Sequence, residues 1–302
     1  MQLGKIQLSI LALIIANVIW GASFPIYKWS LDNIPPFTFA FLRFYLGALI
    51  ILPFVLRKLN IAREDIKELV IVSIFSVSLQ IPLLFFGLKL SPSINAPIII
   101  AAGPIFLIMA SIIFLKEKPG MKVLGGTLIS LIGVLMIILR PLLESGLSGG
   151  ILGNLLIFLA TICGVIQAIF LKRLTPKNDP LTLTFWMFLI GSLPLIPFII
   201  IESNSFNIWQ DLNLQGLIGL SYGVILASVF AHFFLAYAIK YVKASEVGIF
   251  TYVDPIATIV IAVPLLHETI SSAYAVAAVF VFVGILIAEG RLSYHPLNKL
   301  RG

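Results

Sequence analysis

Charge is scarce in this chain of 302 residues. Asp, Glu, Lys and Arg together make up 11% of it, against about 25% in an ordinary soluble domain. The counterpart is a hydrophobic content of 60%. A soluble fold cannot remove that much apolar surface from water, so the surrounding solvent must be largely lipid. A soluble enzyme, a nucleic-acid-binding module and a disordered chain are thereby excluded. Cysteine is limited to Cys163, which rules out an internal disulfide and a thiolate metal cage. His232, His267 and His295 lack zinc-like spacing. No G-x-x-x-x-G-K-S/T phosphate loop occurs, so the chain is not expected to hydrolyse ATP by itself, and no cofactor is expected.

What the chain does have is a series of long uncharged runs. Lys5 to Lys28 encloses 22 uncharged residues, Glu68 to Lys89 20, Lys89 to Lys116 26 and Lys122 to Arg140 17. Glu144 to Lys172 encloses 27, residues 180–201 make 22, Asp211 to Lys240 encloses 28 and Glu268 to Glu289 20. Stretches 33–56 and 247–267 are each broken by one charge, Arg43 and Asp254. Roughly 20 apolar residues cross a bilayer as a helix, so these runs predict ten spans, numbered 1 to 10 in chain order. The runs do not alternate, which excludes membrane strands. The first is too long for a signal-peptide core and is expected to be a span. The connections are short, and the longest, about 202–215, leaves no room for an extramembrane catalytic domain.

Lys and Arg set the expected orientation. With the N-terminus inside, the cytoplasmic side holds Lys5, the 57–67 and 116–122 groups, Lys172, Arg173, Lys177, Lys240, Lys243 and the basic C-terminal tail. The outer side holds Lys28, Lys89 and Arg140. Both termini are therefore expected in the cytoplasm of a cell (plasma) membrane protein. The net charge of +7 reflects topology, not an anionic partner.

The two halves match each other. At an offset of 144, Lys28 falls on Lys172, Pro36 on Pro180, Gly47 on Gly191 and Pro53 on Pro197. At an offset of 151, Lys89 falls on Lys240, Pro104 on Pro255, Glu117 on Glu268 and Gly133 on Gly284. Five spans per half is an odd number, so the second half crosses upside down relative to the first. Inverted repeats are a mark of secondary transporters that alternate access around a site between the repeats.

Short motifs recur in a fixed order. Span 1 carries Trp20-Gly21-Ala22-Ser23-Phe24-Pro25, span 2 Phe41-Leu42-Arg43-Phe44, and span 4 Pro104 with Leu115-Lys116-Glu117 closing it. Pro255 and Leu266-His267-Glu268 repeat the closing signature. With these motifs the chain resembles the EamA branch of the drug/metabolite transporter superfamily over nearly its whole length. The resemblance implies an all-α polytopic membrane protein of ten helices in two inverted five-helix repeats, 1–145 and 146–302. It also implies a central cavity serving small metabolites, often in export. The second half departs from the pattern, with Met187 and Val165 where the first has Arg43 and Gly21.

Polar side chains within spans are functional candidates, since lipid leaves them unsatisfied. They fall in stripes of helical period: Asn17, Trp20 and Tyr27 in span 1; Ser73, Ser76 and Gln80 in span 3; Ser221, Ser228 and His232 in span 8; Thr251, Asp254 and Thr258 in span 9. Span 6 adds Asn154 and Thr161. Spans 1, 3, 6, 8 and 9 are thus expected around a polar cavity, with spans 5 and 10 peripheral and spans 2 and 4 contributing Arg43 and Asn95. For Ser73, Ser76, Ser221 and Thr258, helix-to-helix hydrogen bonding is the favoured reading. Asp254 lies about ten residues into its span, where a charge costs on the order of 3 kcal/mol. It reads as a coupling carboxylate or as an ion-pair partner of Arg43. The Arg43 guanidinium suits a substrate carboxylate, and His232 reads as a proton relay or as packing.

Pro82, Pro104 and Pro255 are expected gating hinges, because prolines loosen spans while neighbours re-satisfy the backbone. The expected substrate-binding set is Asn17, Trp20, Arg43, Gln80, Thr161, His232, Thr251 and Asp254, with no catalytic or metal-ligating residue. Gly146-Leu147-Ser148-Gly149-Gly150 fits G-x-S-x-G, but reads as a flexible link between repeats.

The expected function is secondary active transport of small metabolites, amino acids or similar polar and amphipathic compounds, in the export direction. The alternative is a membrane-embedded enzyme or lipid-processing protein. A small-molecule substrate and the lipid bilayer are the expected partners, a homodimer is an allowed assembly, and nucleic acid is not expected.

Overall fold

In a computed structural model the structure describes residues 2–103, 105–106, 109, 121–145, 149–238, 241 and 248–288. Among these every regular element is a helix and none is a strand. Helix α1 is Gln2–Ser30, α2 Pro36–Val55, α3 Ile66–Ser73, α4 Gln80–Leu90 and α5 Asn95–Ala101. Then come α6 Met121–Ser145, α7 Gly149–Leu174, α8 Pro180–Ser192, α9 Ile196–Glu202 and α10 Ile208–Asp211. The last described helices are α11 Leu214–Ser221, α12 Ala231–Ala238, α13 Asp254–Leu266 and α14 Ser272–Ala288.

Local chemistry explains the starts. Pro36 and Pro180 each open a helix, where the missing N–H of proline is no loss. The Asp179 side chain caps α8 by accepting from Thr182 N at 3.3 Å. Two joints are π-helical: Ile74–Leu79 links α3 to α4, and Tyr222–Phe230 links α11 to α12. Shifted by 151, the first joint falls within the second.

Among the described residues, seven helical segments are long and apolar enough to cross a membrane: Lys5–Ser30, Pro36–Lys58, Arg63–Leu90, Met121–Arg140, Gly150–Leu174, Pro180–Glu202 and Leu214–Ala238. They present Leu, Ile, Val and Phe outward, among them Leu8, Leu11, Phe54, Leu128, Leu159 and Ile200. That surface requires lipid, and the chain is a multi-pass membrane protein. The count differs from the ten spans read from charge spacing. Phe250–Leu266 and Ser272–Ile287 are apolar but shorter within the described residues, and a 3₁₀ stretch, Gly248–Val253, leads into α13. Of the fourth run, α5 is described, while Pro104 and most residues from 107 to 116 lie outside the described residues.

Packing is reciprocal between the halves. Helix α4 packs on α7 as α12 packs on α1, and α5 meets α7 as the 3₁₀ stretch Gly248–Val253 meets α1. The Ile74–Leu79 joint packs on α8 as the Tyr222–Phe230 joint packs on α2. The pairs α2–α8 and α6–α14 map onto themselves. Exchange of the halves thus reproduces these contacts, as a two-fold axis between them requires. In the α6–α14 pair, a Cβ on Gly133 would lie 2.6 Å from Ala277 O, and one on Gly284 2.6 Å from Gly126 O. Gly126 and Ala277 are themselves equivalents at offset 151. Among the described residues, helices α6 and α14 lie mainly against each other.

The two ends of the bundle are fastened by separate polar groups. At one end Lys28 pairs with Glu268 at 3.3 Å, Glu268 accepts from Ser93 N at 2.7 Å, and Glu202 accepts from Thr38 N at 2.7 Å. At the other, Lys177 pairs with Asp65, Arg173 with Glu68, and Lys58 with Asp179. Alternating up-and-down helices place residues in these two groups.

Candidate functional site

The polar centre forms where α1, α2, α8 and the Tyr222–Phe230 joint meet. Arg43 on α2 is 5% exposed, and its Nε donates to Ser228 Oγ at 3.0 Å. Its Cζ stands 4.7 Å from the Tyr27 ring centroid and 4.6 Å from that of Phe44, within cation–π range. A Cβ on Gly223 would lie 3.3 Å from both Arg43 Cδ and Tyr27 Cε1. A bare backbone at this position therefore makes room for the arginine stem.

Rings extend the centre. Phe44 meets Phe188 at 4.8 Å, Phe188 meets His232 at 5.1 Å, and His232 meets Trp20 at 5.4 Å, all edge-on. Trp20 Nε1 donates to Ala227 O at 3.0 Å, and Tyr222 Oη donates to Ile19 O at 2.7 Å. The wide turn of a π-helix moves carbonyls off the α register, and here one of them receives the indole. Two buried polar atoms in the centre, Tyr27 Oη and His232 Nδ1, have no hydrogen-bond partner among the described residues. Arg43 forms no ion pair among the described residues. The centre therefore offers a guanidinium and open hydrogen-bonding atoms inside an aromatic wall, an arrangement suited to a polar or anionic group.

Of the residues expected at the site, Trp20, Arg43 and His232 meet here. Asp254 is buried elsewhere, where α13 crosses α1. Its Oδ1 is unpartnered among the described residues, and Thr258 Oγ1 donates to both Gly21 O at 2.7 Å and Asp254 O at 2.8 Å. The structure does not pair Asp254 with Arg43; Arg43 is held by Ser228 and rings instead. Asn17 bonds Leu13 O through Nδ2 at 2.8 Å and leaves Oδ1 open. Gln80 begins α4 directly after the π-helical joint and packs on Gly164, whose Cβ would lie 3.1 Å from Gln80 Nε2. Thr161 returns its hydroxyl to Ile157 O at 2.9 Å. Thr251 lies in the 3₁₀ stretch before α13. Asn95 bonds Asn154, which bonds Ile137 O, a chain of packing hydrogen bonds.

The prolines act differently from mid-helix kinks. Pro255 lies in the first turn of α13 and Pro82 in the first turn of α4, so each comes just after a change of helix type and breaks no established α ladder. Pro104 and Ser148 lie outside the described residues. Sequence reasoning passed over Phe44, Phe188 and Tyr222. Phe44 and Phe188 are equivalents at offset 144 and touch each other, a signal present in the repeat.

A profile of the EamA-like transporter family matches residues 7–139 and 151–289. An uncharacterized transporter of Archaeoglobus fulgidus is 26% identical over 284 residues, covering 93% of this chain and 97% of the relative. The uncharacterized transporter YyaM of Bacillus subtilis is 25% identical, with 93% of each chain covered. One solved crystal structure shares the fold with a TM-score of 0.64 at 17% identity, over 95% of this chain and 99% of that one. The twice-matched profile takes in nearly the whole described bundle, and the chain belongs to the EamA-like transporter family.

Proposed function

We propose that this membrane transporter is a secondary active carrier that moves small metabolites, amino acids or similar polar and amphipathic compounds, by alternating access. The observation that carries the reading is the exchange symmetry of the packing. Two halves that make the same contacts with each other have two related arrangements available, one open to each face. The polar centre lies beside the α2–α8 pair, which the exchange maps onto itself. In this reading the chain crosses the plasma membrane ten times with both termini in the cytoplasm. The Lys28–Glu268 group faces outside and the Lys177–Asp65 group inside, as the Lys/Arg bias favours. Net movement is outward. The junctions before Gln80 and Asp254, where helix type changes, are the hinges.

Counterflow into proteoliposomes tests this. Vesicles preloaded with an unlabelled amino-acid mixture are expected to accumulate labelled members of the mixture transiently and saturably. Protein-free vesicles are expected not to. Labelled uptake equal in the two preparations for every compound contradicts carriage.

A further inference from the structure

The two halves part company at the polar centre. At offset 144, Trp20, Tyr27 and Arg43 correspond to Gly164, Leu171 and Met187. At offset 151, Tyr222, Ser228 and His232 correspond to Ile71, Val77 and Ile81. Each of these six polar or aromatic residues thus has an apolar or bare counterpart.

The structure keeps this correspondence in space. A Cβ on Gly47 of α2 would lie 3.3 Å from Ser228 Cβ, and one on its equivalent Gly191 would lie 2.6 Å from Val77 Cβ. Arg43 bonds Ser228, whereas Met187 lies in an apolar cluster with Leu69 and Val72. The apolar arrangement demonstrates that the fold packs at this position without any charge. A buried guanidinium is then a departure the fold does not need, and its side of the axis also holds the open Tyr27 Oη and His232 Nδ1.

We propose that the Arg43 side of the centre binds the carboxylate head of a small organic anion, with Trp20, Phe44 and Phe188 enclosing its apolar body. The proposal rests on the carrier reading and names its substrate class. Nε of Arg43 is committed to Ser228, which fixes the guanidinium plane and leaves its terminal nitrogens to a carboxylate, the paired geometry at which arginine excels. The Tyr27 hydroxyl donates to the same head. One anionic ligand supplies the countercharge that no described residue places beside Arg43.

The test uses the full chain in nanodiscs and proteoliposomes with phenylacetate, phenylacetamide, phenethylammonium and phenylalanine. Phenylacetate is expected to bind at least tenfold more tightly than its uncharged amide. Arg43→Gln is expected to weaken phenylacetate by about ten- to a hundredfold, the range for a charge-assisted hydrogen-bonded pair, and to leave phenylacetamide unchanged. Should Arg43→Gln fail to fold, Tyr27→Phe and Ser228→Ala delete only a hydroxyl each. They are then expected to reduce phenylacetate affinity at least threefold without affecting the amide. Equal affinity for phenylacetate and phenylacetamide, or tighter binding of phenethylammonium, overturns the proposal. Counterflow of the amide, amine or amino acid without phenylacetate overturns the anion site and leaves the carrier reading intact. Counterflow of none of the four removes both.

Discussion

Arg43 sits at 5% exposure with a neutral hydroxyl and two rings for company. A charge deep in a membrane protein costs several kcal/mol of insertion free energy, of order 3 on translocon scales. Replacing a buried charge by an apolar side chain of similar volume is often neutral or stabilising by about 1–4 kcal/mol. Arg43→Met, which copies its own repeat equivalent, is therefore expected to keep or raise the thermal unfolding midpoint in detergent. The same variant is expected to lose counterflow. A large fall in the midpoint of Arg43→Met makes the arginine structural instead. Asp254 is another buried ionisable residue, with Oδ1 unpartnered among the described residues. Asp254→Asn keeps its shape and removes the charge. If this carboxylate couples a proton to transport, the variant loses pH-driven net flux and retains exchange. Normal pH-driven flux by a well-folded Asp254→Asn protein excludes Asp254 from coupling.

Elements are joined at their ends by polar groups. His267 holds a left-handed backbone, φ 53°, at the end of α13. The turn carries Glu268 to Ser93 and Ile94, whose N–H groups it accepts at 2.7 and 3.1 Å. A non-glycine residue in this region costs roughly 1–2 kcal/mol, so His267→Gly is expected to raise the unfolding midpoint by a few degrees. At the other end, Lys177, in the connection between α7 and α8, is held above its ordinary 10.5, chiefly by hydrogen bonds to Asp65 and Glu64. Its contribution is present below the unfolded ammonium pKa and is lost as pH rises through the raised folded value. Stability is therefore expected to fall above about pH 10, and Lys177→Gln to blunt that alkaline limb in a melting series. Long uncharged runs made the helices themselves legible, from α1 to α9. The π-helical joints and the 3₁₀ stretch before α13 were not, because they depend on what packs beside them, such as Trp20 on Ala227 O.

At the scale of the whole molecule, the two-fold relation was legible in paired landmarks such as Gly133 with Gly284. The structure added how those glycines meet, each under a small residue of the opposite helix. The candidate centre was half legible. Trp20, Arg43 and His232 were found as polar residues in spans, but helical faces alone placed Asp254 beside them, whereas it lies at the α1–α13 crossing. Phe44 and Phe188 carry no polar signal; the repeat marks them as equivalents, and only three-dimensional proximity shows that they meet beside Arg43. The packing of α6 on α14 admits no side chain at Gly284, so Gly284→Leu is expected to reduce folded yield sharply, by fluorescence-detected size exclusion, while Leu128→Ala on the lipid face is not. Alternating access itself is tested most directly at Gln80, half-buried beside Gly164. In a Cys163→Ala background, Gln80→Cys in oriented vesicles is probed with an impermeant thiol reagent applied to either face. The account predicts modification from both faces, with an imposed substrate gradient shifting which face is faster. Modification from one face alone, under every gradient, would contradict it.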